Sequence, residues 1–297
     1  MKYILMYPEV GGTAEHMLDA GSLPELARAA EDAGLDGIAL TEHPAPSLPW
    51  LETGHQSLDP FVALAAAAAV TERISLVTNL SVIPYRNPLV LAKAAATLNL
   101  VSDGRFKLGA GTGYLKSEYF AVGVDFDERN TLFDEALEVM KLHWSGEPFD
   151  YQGLHFSARN IIARPRPIDG RVPIWIGGNS KKALERVAAH GDGWMPMMAS
   201  QFAKTARTRP INNADDLHER LGVLEDLMGD RYKDLDLIMS YHGDGFDEFW
   251  KDPERHREGI AGLEAMGATH LYVSPPWSPS PAPAEWVTRF GAEFLDS

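Results

Sequence analysis

Val172 to Pro196, VPIWIGGNSKKALERVAAHGDGWMP, is the stretch that governs how the rest of the chain is read. An apolar run ends in Gly177 and Gly178, Asn179 and Ser180 follow, and a helical pattern begins. The order is strand, tight turn, helix start. Free backbone N–H groups at a helix start, with the positive end of the dipole behind them, attract an anion. Glycines let a phosphate come close to the backbone. Lys181 and Lys182 follow at once and add positive charge. The same residues also read as an ordinary turn in which Ser180 caps the helix, with no ligand needed. By itself the turn leaves both readings open.

Working outward, short apolar runs alternate with longer helical patterns along the whole chain. The pattern predicts strands at 2–7, 37–41, 74–83, 106–111, 174–176, 194–197, 235–241 and 270–273. It predicts helices at 23–33, 59–72, 88–101, 130–144, 180–189, 215–228, 253–266 and 284–294. Repeated strand–helix units imply a parallel sheet covered by helices, and about eight of them imply a (β/α)8 TIM barrel. An open doubly wound sheet is the alternative. It carries its phosphate fingerprint after the first strand, where YPEVGGTAEH lacks the GxGxxG spacing. The expected organisation is one α/β barrel domain over 1–297. Two segments break its rhythm: an insertion at about 145–172, between units four and five, and a polar lid loop at about 199–213.

The chain has 297 residues, 45% hydrophobic and 23% charged, with a formal net charge of -15. An acidic chain without a basic run does not present the face that nucleic acid requires. Any polyanionic ligand must be met by backbone dipoles and a few Lys or Arg. Cysteine is absent, which removes disulfides, thiolate nucleophiles and thiolate metal sites. No run approaches the roughly 20 apolar residues that span a bilayer. The first residues are too short an apolar run for a signal peptide. The expected location is the cytoplasm. The Ala-rich run from Ala63 to Val70 fits a buried helix.

Barrel enzymes place their chemistry at the C-terminal ends of strands. Strand two ends Thr41-Glu42-His43, and a His beside a carboxylate there suits an acid, base or hydrogen-bond donor. Strand three contains the polar Asn79, and Arg86 precedes the next helix. Strand four ends Gly109-Ala110-Gly111-Thr112-Gly113-Tyr114, small residues against which a flat ligand can lie. The His residues do not pair as a metal hydrolase requires, so no metal site is expected. Lys107 sits at the wrong end of its strand for a Schiff base. Dry strand ends, one His, one Asn and a phosphate turn suit a cofactor better than hydrolysis.

These residues resemble the luciferase-like monooxygenase superfamily, and most closely its branch that uses the deazaflavin coenzyme F-420. The resemblance runs from Tyr3 to Leu295. It rests on LARAAEDAGLDGIALTEH, on VIPYRNPLVLAKAAATLNLVSDGRFKLGAGTGYLKSEYFAVGVDFDERN and on IWIGGNSKKALERVAAHGDGW. It implies a cofactor in the barrel mouth, with its phosphate on Gly177, Gly178, Asn179 and Ser180. It implies a ring over strand three, shaped by Asn79, Leu80, Gly109, Gly111, Thr112 and Gly113, with a non-proline cis peptide at Asn79–Leu80. His43 matches the family position nearest ring and substrate. Trp50, Tyr114, Trp194 and Met197 are expected to wall the substrate side. One departure stands out: sugar-phosphate dehydrogenases of this branch carry a Glu where this chain has Tyr114. Glu118, four residues on, replaces that acid if its segment is helical.

The resemblance implies an oxidoreductase passing a hydride between coenzyme F-420 and a small organic substrate, with His43 as proton or hydrogen-bond donor. An FMN-dependent monooxygenase keeps the fold and changes the ring. A non-catalytic cofactor-binding protein is a further alternative. A homodimer is the expected assembly.

Overall fold

Apolar runs form fully covered strands here because helices pack on one face and the barrel interior fills the other. GIAL, IWIG and HLYV are almost wholly buried. The computed structural model describes residues 1–8, 22–198, 206, 208–241, 250–275 and 283–295. In chain order the elements are β1 (Lys2–Met6), α1 (Leu23–Asp32), β2 (Gly37–Leu40), α2 (Leu48–Leu51), α3 (Pro60–Ala68), β3 (Ser75–Thr78), β4 (Ser81–Val82) and α4 (Pro88–Val101). Then come β5 (Phe106–Gly111), α5 (Lys116–Ala121), α6 (Arg129–Ser145), β6 (Phe149–Gln152), β7 (Ser157–Ile161), β8 (Ile174–Gly177), α7 (Lys181–His190) and β9 (Gly193–Met195). The chain closes with α8 (Ala214–Met228), β10 (Asp236–Ser240), α9 (Pro253–Ala265), β11 (His270–Val273) and α10 (Pro283–Phe294).

Eight parallel strands close on themselves in the order β1-β2-β3-β5-β8-β9-β10-β11, with β11 returning to β1. The register Ile4↔Gly37, Leu76↔Phe106 and Tyr3↔Leu271 ties the ring together. This is the (β/α)8 barrel that the alternation implied. Local chemistry sets the helix starts. Asp59 accepts from the N–H groups of Phe61 and Val62, with Pro60 in the first turn of α3. Ser22 and Glu25 form a reciprocal capping box on α1.

Ile4, Met6, Ala39, Val77, Trp175, Met195, Ile238 and Tyr272 fill the barrel interior. A larger apolar layer, including Leu26, Ile38, Leu91 and Phe133, lies between strands and helices.

Three expectations change. The strand read as 74–83 is two strands: β3 ends at Thr78, and β4 resumes at Ser81 against Ala110 of β5. Between them the Asn79–Leu80 peptide is cis, as the resemblance implied. The Ala-rich helix is only half buried, because α3 sits on the outside of the barrel. Leu64, Ala67 and Ala68 face inward, while Val62 is 74% exposed. Two short helices, α2 and α5, were not foreseen as elements.

Between α6 and β8 lies an antiparallel hairpin of β6 and β7. Glu135 of α6 holds it by accepting from the N–H groups of His155 and Phe156, at 3.0 and 2.9 Å. Of the loop expected at 199–213, residues 199–205 and 207 lie outside the described residues. Its far end is anchored, with Ile211 fully buried.

Candidate active site

A cavity of about 470 Å³ opens at the C-terminal ends of the strands. His43, Asn79, Leu80, Gly111, Thr112, Gly113, Tyr114, Gly177 and Gly178 all line it, so the structure brings together most of the residues singled out in the sequence. Trp50 and Met197 join them.

Three residues beyond β2, His43 is fixed at both ends. Its backbone N–H donates to Ser57 Oγ at 2.6 Å. Its ring Nδ1 lies 3.3 and 3.4 Å from the two carboxylate oxygens of Glu118. Glu118 stands on α5 and is 1% exposed. Tyr85 donates to its second oxygen at 3.0 Å. Burial pushes the Tyr85 phenol far above its ordinary range, and the neighbouring Glu118 pushes it further, so Tyr85 stays a donor. A carboxylate on Nδ1 assigns the proton to that nitrogen and leaves Nε2 the unprotonated nitrogen of a ring that lines the cavity. The segment after Tyr114 is indeed helical, and its turn carries Glu118 to the ring.

Glu42, the carboxylate adjacent to His43 in sequence, has a different occupation. Its Oε2 accepts from Val82 N at 2.7 Å and Ser81 Oγ at 3.0 Å, and Arg86 contacts its other oxygen. Burial raises the Glu42 carboxyl, with the Arg86 charge opposing. Glu42 thus ties the end of β2 to β4. Arg86 also reaches Asp59 at 3.2 Å, so it meets carboxylates rather than a ligand.

An aromatic wall rises beside His43. Its ring centroid lies 5.2 Å from Trp50, 4.9 Å from His55 and 6.4 Å from Tyr114. Opposite, Leu80 projects between two glycines. A Cβ at Gly111 or at Gly177 would come within 2.4 Å of the Leu80 side chain. Both positions therefore need a bare backbone, which keeps a flat slot open beside Leu80.

Among the described residues, three buried polar donors on the wall have no partner: Thr41 Oγ1, Trp50 Nε1 and Tyr272 OH. Leaving such groups unpaired costs about 1–3 kcal/mol each. A polar ring system in the slot would satisfy them. The donor set and the glycine slot therefore fit a flavin or deazaflavin.

Other expected residues sit elsewhere. Gly109 is not on the cavity wall. Its missing Cβ leaves room for Thr78 O, which would otherwise lie 1.8 Å away, so it permits close packing of β3 and β5. Trp194 is fully buried in the core and donates to Gly178 O at 2.9 Å, so it does not wall the substrate side. Asn179 is 1% exposed and works as a clip. Its side chain bonds Met197 at both N–H and O, and Arg209 O, at 2.8–2.9 Å. Ser180 caps α7 by accepting from Ala183 N at 3.1 Å, which the cap reading anticipated.

The glycine turn is partly satisfied by the protein itself. Gly178, with φ 114°, donates to Met195 O, and Asn179 N donates to Thr208 Oγ1 at 2.8 Å. Lys182 pairs with Asp134 and Lys181 lies 3.8 Å from Glu185. Lys182 is thus engaged by a carboxylate, while Lys181 stays largely exposed.

Sequence reading passed over Tyr85, Thr41, His55, Tyr272 and Thr208. Thr41 carried a signal, its place directly before Glu42 and His43. Tyr85 and His55 stand close in sequence to expected residues, in the VIPYRNP motif and after Trp50, while Tyr272 and Thr208 reach the cavity from distant segments.

Residues 2–214 match the model of the luciferase-like monooxygenase family. An F420-dependent glucose-6-phosphate dehydrogenase of Beutenbergia cavernae is 32% identical over 311 residues, 90% of each chain. An uncharacterized protein of Mycobacterium tuberculosis is 36% identical over 141 residues, and the chain spans about half the length of that relative (50%). In fold, the monooxygenase RslO1 from Streptomyces bottropensis superposes with a TM-score of 0.80 at 23% identity, covering 99% of both chains. The match along the sequence and the barrel mouth built from its own motifs agree: this chain belongs to the luciferase-like monooxygenase family.

Proposed function

We propose that this enzyme transfers a hydride between coenzyme F-420 and a small organic substrate, without a phosphate group, held in the barrel mouth. The observation that carries the reading is the His43–Glu118 pair facing a cavity with a glycine slot and three orphaned donors. Deazaflavin supplies a hydride donor or acceptor at its C5 carbon.

The chain's residues supply orientation and protons. Leu80, Gly111 and Gly177 form the slot for the ring, with Asn79, Thr112 and Gly113 around it. Gly177 and Gly178 would hold the phosphate, beside the turn that the Thr208 hydroxyl engages through Asn179 N. In the direction that oxidises an alcohol, neutral His43 would take the hydroxyl proton on Nε2 as the hydride leaves the carbon, forming the imidazolium; in the reverse direction the imidazolium would return that proton to the substrate oxygen. Glu118 steadies the imidazolium formed on the way, and Tyr85 steadies Glu118. Trp50, Tyr114 and Met197 keep water out.

No Lys or Arg occurs among the described residues that line the cavity. A phosphorylated sugar would leave its dianion unpaired there. Tyr114, in the place of the family's Glu, supports the same conclusion. The reading is therefore of a substrate without a phosphate group, unlike the sugar phosphate in the name of the dehydrogenase relative. The exposed apolar side of α3, with Val62, and Val90 of α4 suit a homodimer contact. Lack of cysteine fits a cytoplasmic location.

Paired equilibrium titrations with F-420 and FMN test the reading. F-420 is expected to bind and FMN weakly or not at all. Tight FMN with no measurable F-420 binding makes the protein an FMN-dependent monooxygenase instead. Cofactor binding without turnover by any reductant or acceptor makes it a non-catalytic binding protein.

A further inference from the structure

A second cavity, of about 680 Å³, lies at the opposite end of the barrel and shares no lining residue with the first. It is formed where β5, β8 and β10 begin. Lys107, Lys141, Arg171, His190 and Arg231 border it, together with Asp192, Asp234 and Asp236.

Its ion pairs do not balance. Asp192 bonds Arg171 at 2.6 Å and also accepts from Ile174 N at 2.8 Å. Asp236 serves Trp175 Nε1 at 3.1 Å and Lys107 at 3.8 Å. Among the described residues, neither Lys141 nor Arg231 has a carboxylate within ion-pair distance, Asp234 included. Instead the Lys141 ammonium lies 3.0 Å from His190 Nδ1, a contact that requires the ring to be neutral.

The charges around Lys141 are mixed. Partial burial lowers its pKa, Arg231 and Arg171 lower it further, and Asp192 opposes. Burial and then Lys141 lower His190, with Arg186 in the same direction and Glu138 and Asp134 opposing. In a chain of net charge -15, cations converge here at a cost. The C-terminus of α7, at His190, contributes only about half a negative charge. Four cations (Lys107, Lys141, Arg171 and Arg231) against three carboxylates (Asp192, Asp234 and Asp236) leave one positive charge on the lining, of which the helix end offsets about half.

We propose that this cavity is an anion site, formed by Lys141, Arg171, His190 and Arg231, that takes a phosphate group. Guanidinium forks and an ammonium match a doubly charged tetrahedral oxyanion. The volume also admits a phosphate ester, so free phosphate and a nucleoside monophosphate share the chemistry. The site is independent of the hydride-transfer reading.

His190 is the local reporter. Its ring resonance is assigned in histidine-labelled protein by comparison with His190→Gln. The protein is titrated with inorganic phosphate, and separately with adenosine 5′-monophosphate, with chloride holding ionic strength constant. Saturable binding that raises the His190 pKa is expected from at least one of them, and which one names the source. In the Lys141→Met/Arg231→Ala double variant the midpoint should move about tenfold or more, as loss of charged hydrogen bonds implies. Thermal unfolding confirms that the variant is folded. The proposal is overturned if chloride alone moves His190 equally, if neither anion saturates, or if the double variant titrates like the native protein.

Discussion

The Nδ1 atom of His43 lies 3.3 Å from a carboxylate oxygen of Glu118, a residue 75 positions further along the chain. Nothing local joins them. β2 brings one to the barrel mouth, α5 brings the other, and Tyr85 braces the carboxylate from a third segment. Replacing Glu118 with Gln keeps the shape and removes the charge. Turnover is expected to fall about 10–100-fold, as for other buried partners that orient a histidine. Affinity for F-420 should change less than about 2-fold, since little of the ring's contact surface is lost. Steady-state kinetics beside a binding titration check both. Equal loss in both measurements would place Glu118 in the binding surface.

Tyr85→Phe removes the hydroxyl that supports Glu118 and leaves one oxygen short of a donor. A loss of about 1–3 kcal/mol of stability is expected, the cost of an unsatisfied buried charged acceptor. Turnover should fall by less than in Glu118→Gln, because the carboxylate remains. Denaturant unfolding and kcat, measured on the same preparation, test the order.

Tyr272 places on the cavity wall, within an otherwise apolar interior, a hydroxyl that has no partner among the described residues. Burial pushes its phenol far above the ordinary range, so it is a neutral donor at every working pH. Tyr272→Phe should leave the ligand-free protein as stable as before or more so, since a buried orphan is removed. The same change should weaken F-420 binding about 5–10-fold, the value of one neutral hydrogen bond. Opposite signs in the two measurements mark a ligand-facing hydroxyl. Matching losses mark a packing role.

Leu80 occupies the space that a Cβ on Gly177 would need. Gly177→Ala should therefore push the Leu80 side chain into the slot. We expect about 1–3 kcal/mol of overpacking, felt mainly as lost cofactor affinity. Adding Leu80→Ala to Gly177→Ala should restore part of that affinity. Strict additivity in this double-mutant cycle would separate the two residues.

His270 closes the lower end of the barrel beside Trp175. Burial, then Lys107, Lys2 and the N-terminal amine, lower its pKa to about 3, despite Asp236 at 3.6 Å. The folded protein thus refuses a proton that the unfolded chain accepts below about 6.5. Stability is complete above that pH and falls as the pH drops towards 3. The slope approaches roughly 1.4 kcal/mol per pH unit where His270 alone governs. Urea midpoints between pH 7 and pH 4 measure it. A His270→Gln variant should lose most of that slope.

Much of the fold was legible because its signals are local. Paired glycines after IWI, Pro60 behind Asp59 and the alternation of short apolar runs with helical patterns each act over a few residues. The strand ends were legible too, since a barrel sends every such end to one face. That is why His43, Leu80, Gly111 and Gly177 meet in one cavity. Side-chain direction was less legible. Trp194 sits in the expected strand and Asn179 in the expected turn, but they point into the core and across to the next segment. Gly109 looked like cavity wall, yet it serves the approach of β3 to β5.

From its own residues the chain determined a ring of strand–helix units with a glycine-lined mouth, because periodicity, caps and turn chemistry are properties of neighbours in sequence. The tertiary structure decided which carboxylate serves His43. Glu42, the adjacent one, is drawn to Val82, Ser81 and Arg86, while Glu118 arrives on a short helix seated by Tyr85 and Tyr119. That choice depends on how distant elements dock and on which buried charge finds donors, and no local pattern records it.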